Sequence, residues 1–169
     1  LAGKTLAIKD NVCVAGVPMI VRVLTSLNAT RLVYGVAISI DDATVLTDLP
    51  EAAGATFHMS QDSPAASVLD YFKVQAGEVP VLVTTADQAL LSPSMVEYFY
   101  RGAYYTDADI VVGVVTASLF RQHYPQSRRT FLSLADESFC GTNLFLLRTP
   151  QAANAVRFWM RAGQFRKRP

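Results

Sequence analysis

The hydrophobic residues of this chain follow two patterns, which alternate along the sequence. Continuous apolar runs rich in β-branched residues are typical of strands buried on both faces of a sheet, and they lie at Leu32–Ile40, Val79–Thr84 and Asp109–Val115. Elsewhere, apolar residues recur every three or four positions, as on the buried stripe of an amphipathic helix. This alternation predicts a mixed α/β fold.

Proline residues, often preceded by serine or threonine, mark where most of the predicted helices begin. A serine side chain caps free backbone amides, and proline has no amide to satisfy at the first helical position. The first helix should end at the Asn28 break and the third near Gly77. The predicted helices begin at Pro18, Ala43, Ser63-Pro64, Ser92-Pro93 and Thr149-Pro150.

Two later β segments, Thr130–Leu134 and Cys140–Leu147, are separated by a short polar stretch and predict a hairpin. A brief strand is expected at Ala55–Met59. The whole pattern predicts a three-layer, Rossmann-like α/β fold with a mainly parallel sheet and one late hairpin. We expect a single domain over residues 1–169 that lacks the terminal elements of its fold at both ends.

Composition excludes several classes of function. Hydrophobic residues make up 51% of the chain and charged residues 17%, which favours a folded core over disorder. A net charge of +1 gives no general attraction to nucleic acid. No apolar run has the length of a membrane span, no signal peptide is recognisable, and Cys13 and Cys140 form no disulfide framework. We therefore expect a soluble, cytoplasmic domain with reduced thiols.

The strand ending at Thr84 carries the strongest chemical candidate. It continues as Thr85-Ala86-Asp87, so a carboxylate follows a buried strand directly. Ligands of open α/β sheets bind beyond the carboxyl ends of the strands. A carboxylate there is well placed to hold a divalent cation against phosphate groups. The structural alternative is an ordinary turn aspartate.

Four stretches, taken in order, carry a resemblance to a known family. Lys9 precedes a Gly16–Met19 turn that leads into a helix, Ser63–Ser67 forms a turn and helix start, Thr84–Asp87 ends a strand, and Cys140–Phe145 contains a G-x-N strand. Together they resemble the MobA-like nucleotidyltransferases, the family of the molybdenum-cofactor guanylyltransferases with its NTP transferase domain. The resemblance covers most of the chain from Lys9 to Arg168.

The resemblance implies a Mg²⁺-dependent nucleotidyltransferase. Such an enzyme transfers a nucleotidyl group from a nucleoside triphosphate to a phosphorylated or hydroxyl acceptor and releases pyrophosphate. Asp87 would hold Mg²⁺, and Lys9 would balance phosphate charge, which makes these two the catalytic candidates. Gly3, Ser63 and Ser67 would join Lys9 in binding the nucleotide, although Ser63 also fits an ordinary helix cap.

The acceptor side of the implied site has three candidates. Asn143 on the G-x-N strand can donate and accept hydrogen bonds. Arg129 and Lys167 belong to basic clusters that can bind a phosphate on a small-molecule acceptor. The structural alternatives are a turn asparagine and a charged surface.

Two departures from the family leave alternatives open. The family's glycine-rich nucleotide loop lies before the lysine, whereas Leu1–Ile8 contains a single glycine, and no second metal ligand is identifiable. A nucleotide-binding domain without turnover is therefore an alternative. Leu1–Met19 is also similar to the start of the amidase-signature family, with Lys9 at its catalytic lysine, but no segment supplies the serine nucleophile of that family.

Overall fold

The computed structural model describes residues 12–75, 79–134 and 136–165, so the predictions for Gly3, Lys9 and Lys167 lie outside the described residues. The strands are β1 (Cys13–Val14), β2 (Val17–Pro18), β3 (Ala37–Ile40), β4 (Thr56–Met59), β5 (Val81–Val83), β6 (Ile110–Thr116), β7 (Leu132–Leu134) and β8 (Glu137–Leu147). The helices are α1 (Met19–Asn28), α2 (Pro64–Val74), α3 (Pro93–Tyr104), α4 (Ala117–His123) and α5 (Ala152–Phe165).

The long strand β8 organises the larger sheet. Along one edge it pairs antiparallel with β6, from Ile110 opposite Leu147 to Thr116 opposite Phe139. Its other edge carries β5 at the carboxyl end and β7 at the amino end, both antiparallel. Between β5 and β7, this edge of β8 pairs with no other described strand. The loop that follows β5 can therefore contact it.

The smaller sheet consists of β3 and β4, which run parallel with Ala37 opposite Thr56 and Ile40 opposite Met59. Because the two strands are parallel, their carboxyl ends meet at one edge. Asp41 follows β3 at this edge, and Ser60 follows β4.

Helices cover both faces of the larger sheet. Leu82 and Leu144 pack with apolar residues of α1 and α3, whereas Val83 and Leu147 pack with apolar residues of α2 and α5. Leu82 and Val83 are neighbours on β5 and point to opposite faces, so these two helix pairs form separate layers. The predicted three-layer α/β class is confirmed, and the late hairpin forms from β7 and β8.

Several predicted elements are shorter than expected, and the physical reason is clear for two of them. The strand predicted at Leu32–Ile40 begins only at Ala37, because its partner β4 has four residues and the register begins with Ala37 opposite Thr56. The helix predicted from Ala43 to Ala53 is split into 3-10 turns at Ala43–Leu46 and Pro50–Ala52. Proline lacks an amide hydrogen and clashes with the preceding helical turn, which explains the break at Pro50.

Helix α4 was not predicted. It contains seven residues, Ala117–His123, and its N-cap is the hydroxyl of Thr116, which accepts from the amide of Leu119 at 3.3 Å. A helix of two turns offers too few positions for a helical period to stand out. The cap residue is also the last residue of β6, so no loop separates strand from helix.

Candidate active site

The loop after β5 brings Asp87 and Asn143 together through Thr85. The hydroxyl of Thr85 donates to Oδ1 of Asp87 at 2.5 Å. The side-chain amide of Asn143 donates to the same hydroxyl oxygen at 3.3 Å. Asp87 and Asn143 were both predicted from the sequence as site residues, and each is half-buried. A short polar network therefore joins the predicted cation ligand to the predicted acceptor residue.

Asn143 lies in a bulge of β8. On β6, Val112 and Val114 are separated by one residue, Gly113. Their partners on β8, Phe145 and Gly141, are separated by three residues, 142–144. Extra residues of this kind bend a strand and redirect its side chains. Asn143 has a φ of 54°, in the left-handed region that asparagine tolerates better than most residues.

Two further contacts fix this bulge. The side-chain amide of Gln88 donates to the carbonyl of Thr142, which ties the loop after β5 to the open part of the β8 edge. On the other edge, a Cβ placed on Gly113 would collide with Oγ1 of Thr142. An alanine at position 113 would therefore force the side chain of Thr142 or the bulge itself to shift.

A second acidic residue lies at the carboxyl edge of the sheet. Asp41 follows β3, and its Oδ1 accepts a hydrogen bond from the hydroxyl of Ser60. Among the residues that the structure describes, its buried Oδ2 has no hydrogen-bond partner, and the same holds for Oγ1 of Thr84 and of Thr142. Buried polar atoms without partners are uncommon and costly, so this edge offers polar atoms to a ligand or to water.

Asp41 and Asp87 belong to one edge of the molecule. Ala86, next to Asp87, packs in the same apolar cluster as Ile40, next to Asp41. The sequence analysis named Asp87 and missed Asp41. The signal was present, because Asp41 also follows a buried strand directly and the same argument applies to it.

The Ser63–Ser67 turn is held by its own hydroxyl groups. The hydroxyl of Ser63 accepts from the amide of Ala66 at 3.2 Å and caps α2. Ser67 is fully buried, and its hydroxyl accepts from the amide of Gln61 at 2.8 Å. Ser67 therefore contributes to a site at this turn through the backbone that it holds.

Arg129 is exposed beside the bulge. Its Nη1 lies 3.5 Å from the carbonyl oxygen of Gly141, and its guanidinium group lies 5.8 Å from the centre of the Phe120 ring. Gly141 and Asn143 lie close together on β8. The structure thus brings Arg129, a predicted acceptor residue, close to Asn143.

The oxygen atoms at this edge would suit magnesium better than a transition metal. Among the described residues, no three His, Cys, Asp or Glu side chains converge as a metal-ligand cluster. Magnesium is usually held by one or two carboxylates together with substrate phosphates and water, rather than by a cage of protein ligands. Asp87, fixed by Thr85, suits that mode of binding.

A comparison with known protein families identifies the family of this chain. The profile of the MobA-like NTP transferase domain matches residues 8–138, which is more than three quarters of the chain. The chain belongs to this family. The resemblance drawn from its sequence is therefore confirmed.

Solved structures agree with this assignment. A hypothetical transferase from Thermus thermophilus has a TM-score of 0.74 and 25% sequence identity, and the alignment covers 95% of this chain and 65% of that one. The chain therefore spans about two thirds of the length of that relative. The two structures therefore share a fold over nearly the whole of this chain.

More distant structures share the fold. A CMP:2-keto-3-deoxy-manno-octonic acid synthetase, solved with CTP, has a TM-score of 0.62 and 15% identity, and the alignment covers 92% of this chain and 79% of that one. A cytidylyltransferase from Leptospira borgpetersenii serovar Hardjo-bovis (strain JB197) has a TM-score of 0.56 and 12% identity, with coverages of 87% and 56%.

Other comparisons add less. No sequence among the curated proteins matches the chain. The resemblance of Leu1–Met19 to the amidase-signature family gains no support from the family profile or the structures. Within residues 12–75, 79–134 and 136–165, no helix combines the length and apolar character needed to cross a bilayer.

Proposed function

We propose that this protein is a Mg²⁺-dependent nucleotidyltransferase that joins a nucleotidyl group from a nucleoside triphosphate to a small acceptor. The observation that carries the proposal is the link from Asp87 through Thr85 to Asn143. It joins a carboxylate suited to a phosphate-bound cation with an amide suited to an acceptor. Membership of the MobA-like family supports the same reaction class.

The nucleotide side of the proposed site combines Asp87 with the turn at the start of α2. Asp87 would hold Mg²⁺, which when bound neutralises the charge of the triphosphate. The first backbone amides of α2 and the residues Ser63 and Ser67 would line the nucleotide, together with Gly3 and Lys9. A related fold was solved with CTP, which supports nucleotide binding without specifying the base for this chain.

The acceptor side would be formed by Asn143, Arg129 and Lys167. An acceptor oxygen attacks the α-phosphorus, the bond from that phosphorus to the oxygen bridging to the β-phosphate breaks, and pyrophosphate leaves with the bonding electrons. A hydroxyl acceptor loses its proton to water. The reaction needs no covalent enzyme intermediate, so the residues contribute by positioning and by charge.

Release of pyrophosphate tests the proposal. The protein would be incubated with Mg²⁺, with each of ATP, CTP, GTP and UTP, and with a panel of sugar phosphates, sugar acids and phosphorylated alcohols. We expect release with at least one pair of substrates, and its loss in Asp87→Asn with little change in the melting temperature. Asp107→Asn is the matched control, because Asp107 is an exposed carboxylate outside the site.

Two outcomes would overturn the proposal. Tight nucleotide binding by calorimetry, with no pyrophosphate release for any acceptor, would indicate a nucleotide-binding domain without turnover. A variant Asp87→Asn that releases pyrophosphate at the rate of Asp107→Asn would remove Asp87 from the site.

A further inference from the structure

Strand β7 lies at an edge of the larger sheet. It pairs antiparallel with β8, with Leu132 opposite Phe139 and Leu134 opposite Glu137. Within the described part of the chain, no strand pairs with its other side. The three residues of β7 include neither proline nor a charged side chain, the residues that commonly keep an edge strand from pairing with another chain. The free side of β7 is therefore available to a further strand.

One face of the sheet is apolar and exposed at β7. Leu132, Phe139 and Thr116 lie side by side on β7, β8 and β6, because residues directly opposite each other on paired strands share a face. Leu134 and Val114 point to the same face, since each lies two residues along its strand from Leu132 or Thr116. The exposed fractions are 68% for Leu132, 62% for Leu134 and 52% for Val114. This surface, formed by Val114, Leu132, Leu134 and Phe139, is named the β7 face.

The other face of the same hairpin is covered. Cys140 of β8 lies on that face and is buried. Phe131 directly precedes β7, and its ring lies 5.8 Å from the ring of Phe120 in α4. Helix α4 therefore supports the hairpin from one side and leaves the β7 face exposed.

The sequence of β7 is complementary to a second copy of itself. When two copies pair antiparallel about a two-fold axis at Ser133, Leu132 of each copy lies opposite Leu134 of the other. Cross-strand apolar pairs of this kind stabilise a sheet, and the four leucines partly bury one another. The contact uses the same surface on both copies, so it closes as a dimer and leads to no further growth.

The charges at the ends of β7 favour the antiparallel arrangement. Arg128 and Arg129 precede the strand, and Asp136 and Glu137 follow it. Antiparallel pairing brings the basic end of each copy to the acidic end of the other, whereas parallel pairing would bring like charges together. Arg128 and Asp136 are exposed, and neither belongs to an ion pair of the described residues. In the register centred on Ser133, Asp136 of one copy comes within two residue positions of Arg128 on the other.

We propose that the protein forms a two-fold symmetric dimer in which β7 of one copy pairs with β7 of the other. The larger sheet then continues from one copy into the next, and the two β7 faces adjoin. Arg128 of each copy forms an ion pair with Asp136 of the other. Arg129 lies over the ring of Phe120 in its own copy and stays beside Asn143. The dimer goes beyond the proposed function and does not depend on it.

Sedimentation velocity of the protein, without nucleotide or acceptor, tests the dimer. We expect a dimer at micromolar concentrations. Arg128→Asp should raise its dissociation constant about tenfold or more, because two acidic side chains then meet at each junction, and Asp136→Arg should do the same with two basic side chains. Arg31→Asp is the matched control, because Arg31 is exposed and lies outside the hairpin, and its dissociation constant should stay within about twofold of the wild type.

The charge reversals should also repair each other. The double variant Arg128→Asp/Asp136→Arg should recover the dimer, since each copy again carries one end of each sign. Mixing the two single variants should give a heterodimer for the same reason, detected with a fluorescent label on one of them. Leu134→Ser removes an exposed apolar side chain and should weaken the dimer with unchanged circular dichroism.

Four outcomes would overturn this inference. They are a monomer at every concentration, a dimer as tight in Arg128→Asp and Asp136→Arg as in Arg31→Asp, a double variant no tighter than the single ones, and a monomer whose Leu132 and Leu134 amides are protected from exchange. The last would show that another part of the same polypeptide covers the free side of β7. A failure of the proposed reaction leaves all four measurements unaffected, so the two proposals can fail separately.

Discussion

The hydroxyl of Thr85 donates a 2.5 Å hydrogen bond to Oδ1 of Asp87. This contact fixes one oxygen of the carboxylate that we assign to the cation. The same hydroxyl accepts from Asn143 at 3.3 Å, so Thr85 couples the cation side of the site to the acceptor side. Groups that orient a metal ligand commonly affect activity nearly as much as the ligand itself.

Replacing Thr85 with valine should therefore lower activity without unfolding the protein. Valine keeps the shape of threonine and removes the hydroxyl. We expect Thr85→Val to reduce kcat about 10–100-fold and to raise the Mg²⁺ concentration needed for half-maximal rate. Thr85→Ser, which keeps the hydroxyl, should retain most of the activity. Equal Mg²⁺ dependence in wild type and Thr85→Val would show that Thr85 does not position Asp87.

Sequence reasoning located Asp87 but not the residues that hold it. The position of Asp87 follows from local rules, since the predicted strand and the residues after it form nine consecutive residues, Val79–Asp87. The contact between Gln88 and the carbonyl of Thr142 depends on two segments separated by 54 positions. Such contacts follow from sheet order and from the bulge in β8, and no local pattern encodes either.

The same distinction between local and long-range contacts explains which elements of the fold were predicted correctly. The serine caps of α2 and α3 are local, and both were predicted at the correct residues. The extent of β3 depends on β4, which is four residues long and follows a connection of fifteen residues. Strand ends are set by the partner, whereas helix starts are set by the chain itself.

Gly113→Ala should destabilise the protein. The added methyl group would collide with Oγ1 of Thr142 and lie 3.2 Å from Cβ of Leu144, so the bulge that carries Asn143 must shift. We expect a loss of about 1–3 kcal/mol in the free energy of unfolding, measured by urea denaturation. Adding Thr142→Ala removes the colliding hydroxyl, so the double variant should lose less than the sum of the single changes.

Gly102→Ala is the matched control for Gly113. Gly102 lies within α3, and a Cβ placed on it meets nothing within 4 Å. Alanine should therefore raise the free energy of unfolding by about 0.5–1 kcal/mol, because glycine is the less favourable residue inside a helix. Similar losses for Gly102→Ala and Gly113→Ala would contradict the close approach of β8 to β6.

Asn143 should respond differently to glycine and to alanine. Both substitutions remove the hydrogen bond to Thr85, but only alanine is strained at a φ of 54°. We expect Asn143→Ala to be about 1 kcal/mol less stable than Asn143→Gly in thermal denaturation. Both should raise KM for the acceptor. If the two variants were equally stable, the left-handed conformation would not be maintained in solution.

Asp42 should contribute to stability only above the acidic range. Its Oδ1 accepts from the hydroxyl and the amide of Thr44, at 2.6 and 2.9 Å, and these hydrogen bonds hold the pKa of Asp42 below its ordinary value of 3.8. The stabilisation is present above that value and is lost as the pH falls through the lowered pKa. Asp42→Asn cannot titrate, so its melting temperature should fall less steeply than that of the wild type below pH 3.8. If the melting temperatures of the wild type and of Asp42→Asn fell equally steeply with decreasing pH, this contribution of Asp42 would be excluded.

Ser63 and Ser67 hold the same turn, and their alanine variants should separate capping from burial. Ser63→Ala loses a half-exposed cap, which costs about 1 kcal/mol. Ser67 is fully buried, and Ser67→Ala removes the acceptor of the Gln61 amide. We therefore expect a loss of about 1–3 kcal/mol in the free energy of unfolding. Because Ser67 acts through the backbone of the turn, Ser67→Ala should weaken nucleotide binding in proportion to the loss of order at Gln61, measured by amide exchange. Weaker binding with unchanged exchange at Gln61 would mean that the hydroxyl contacts the nucleotide directly, which its burial and its hydrogen bond to Gln61 oppose.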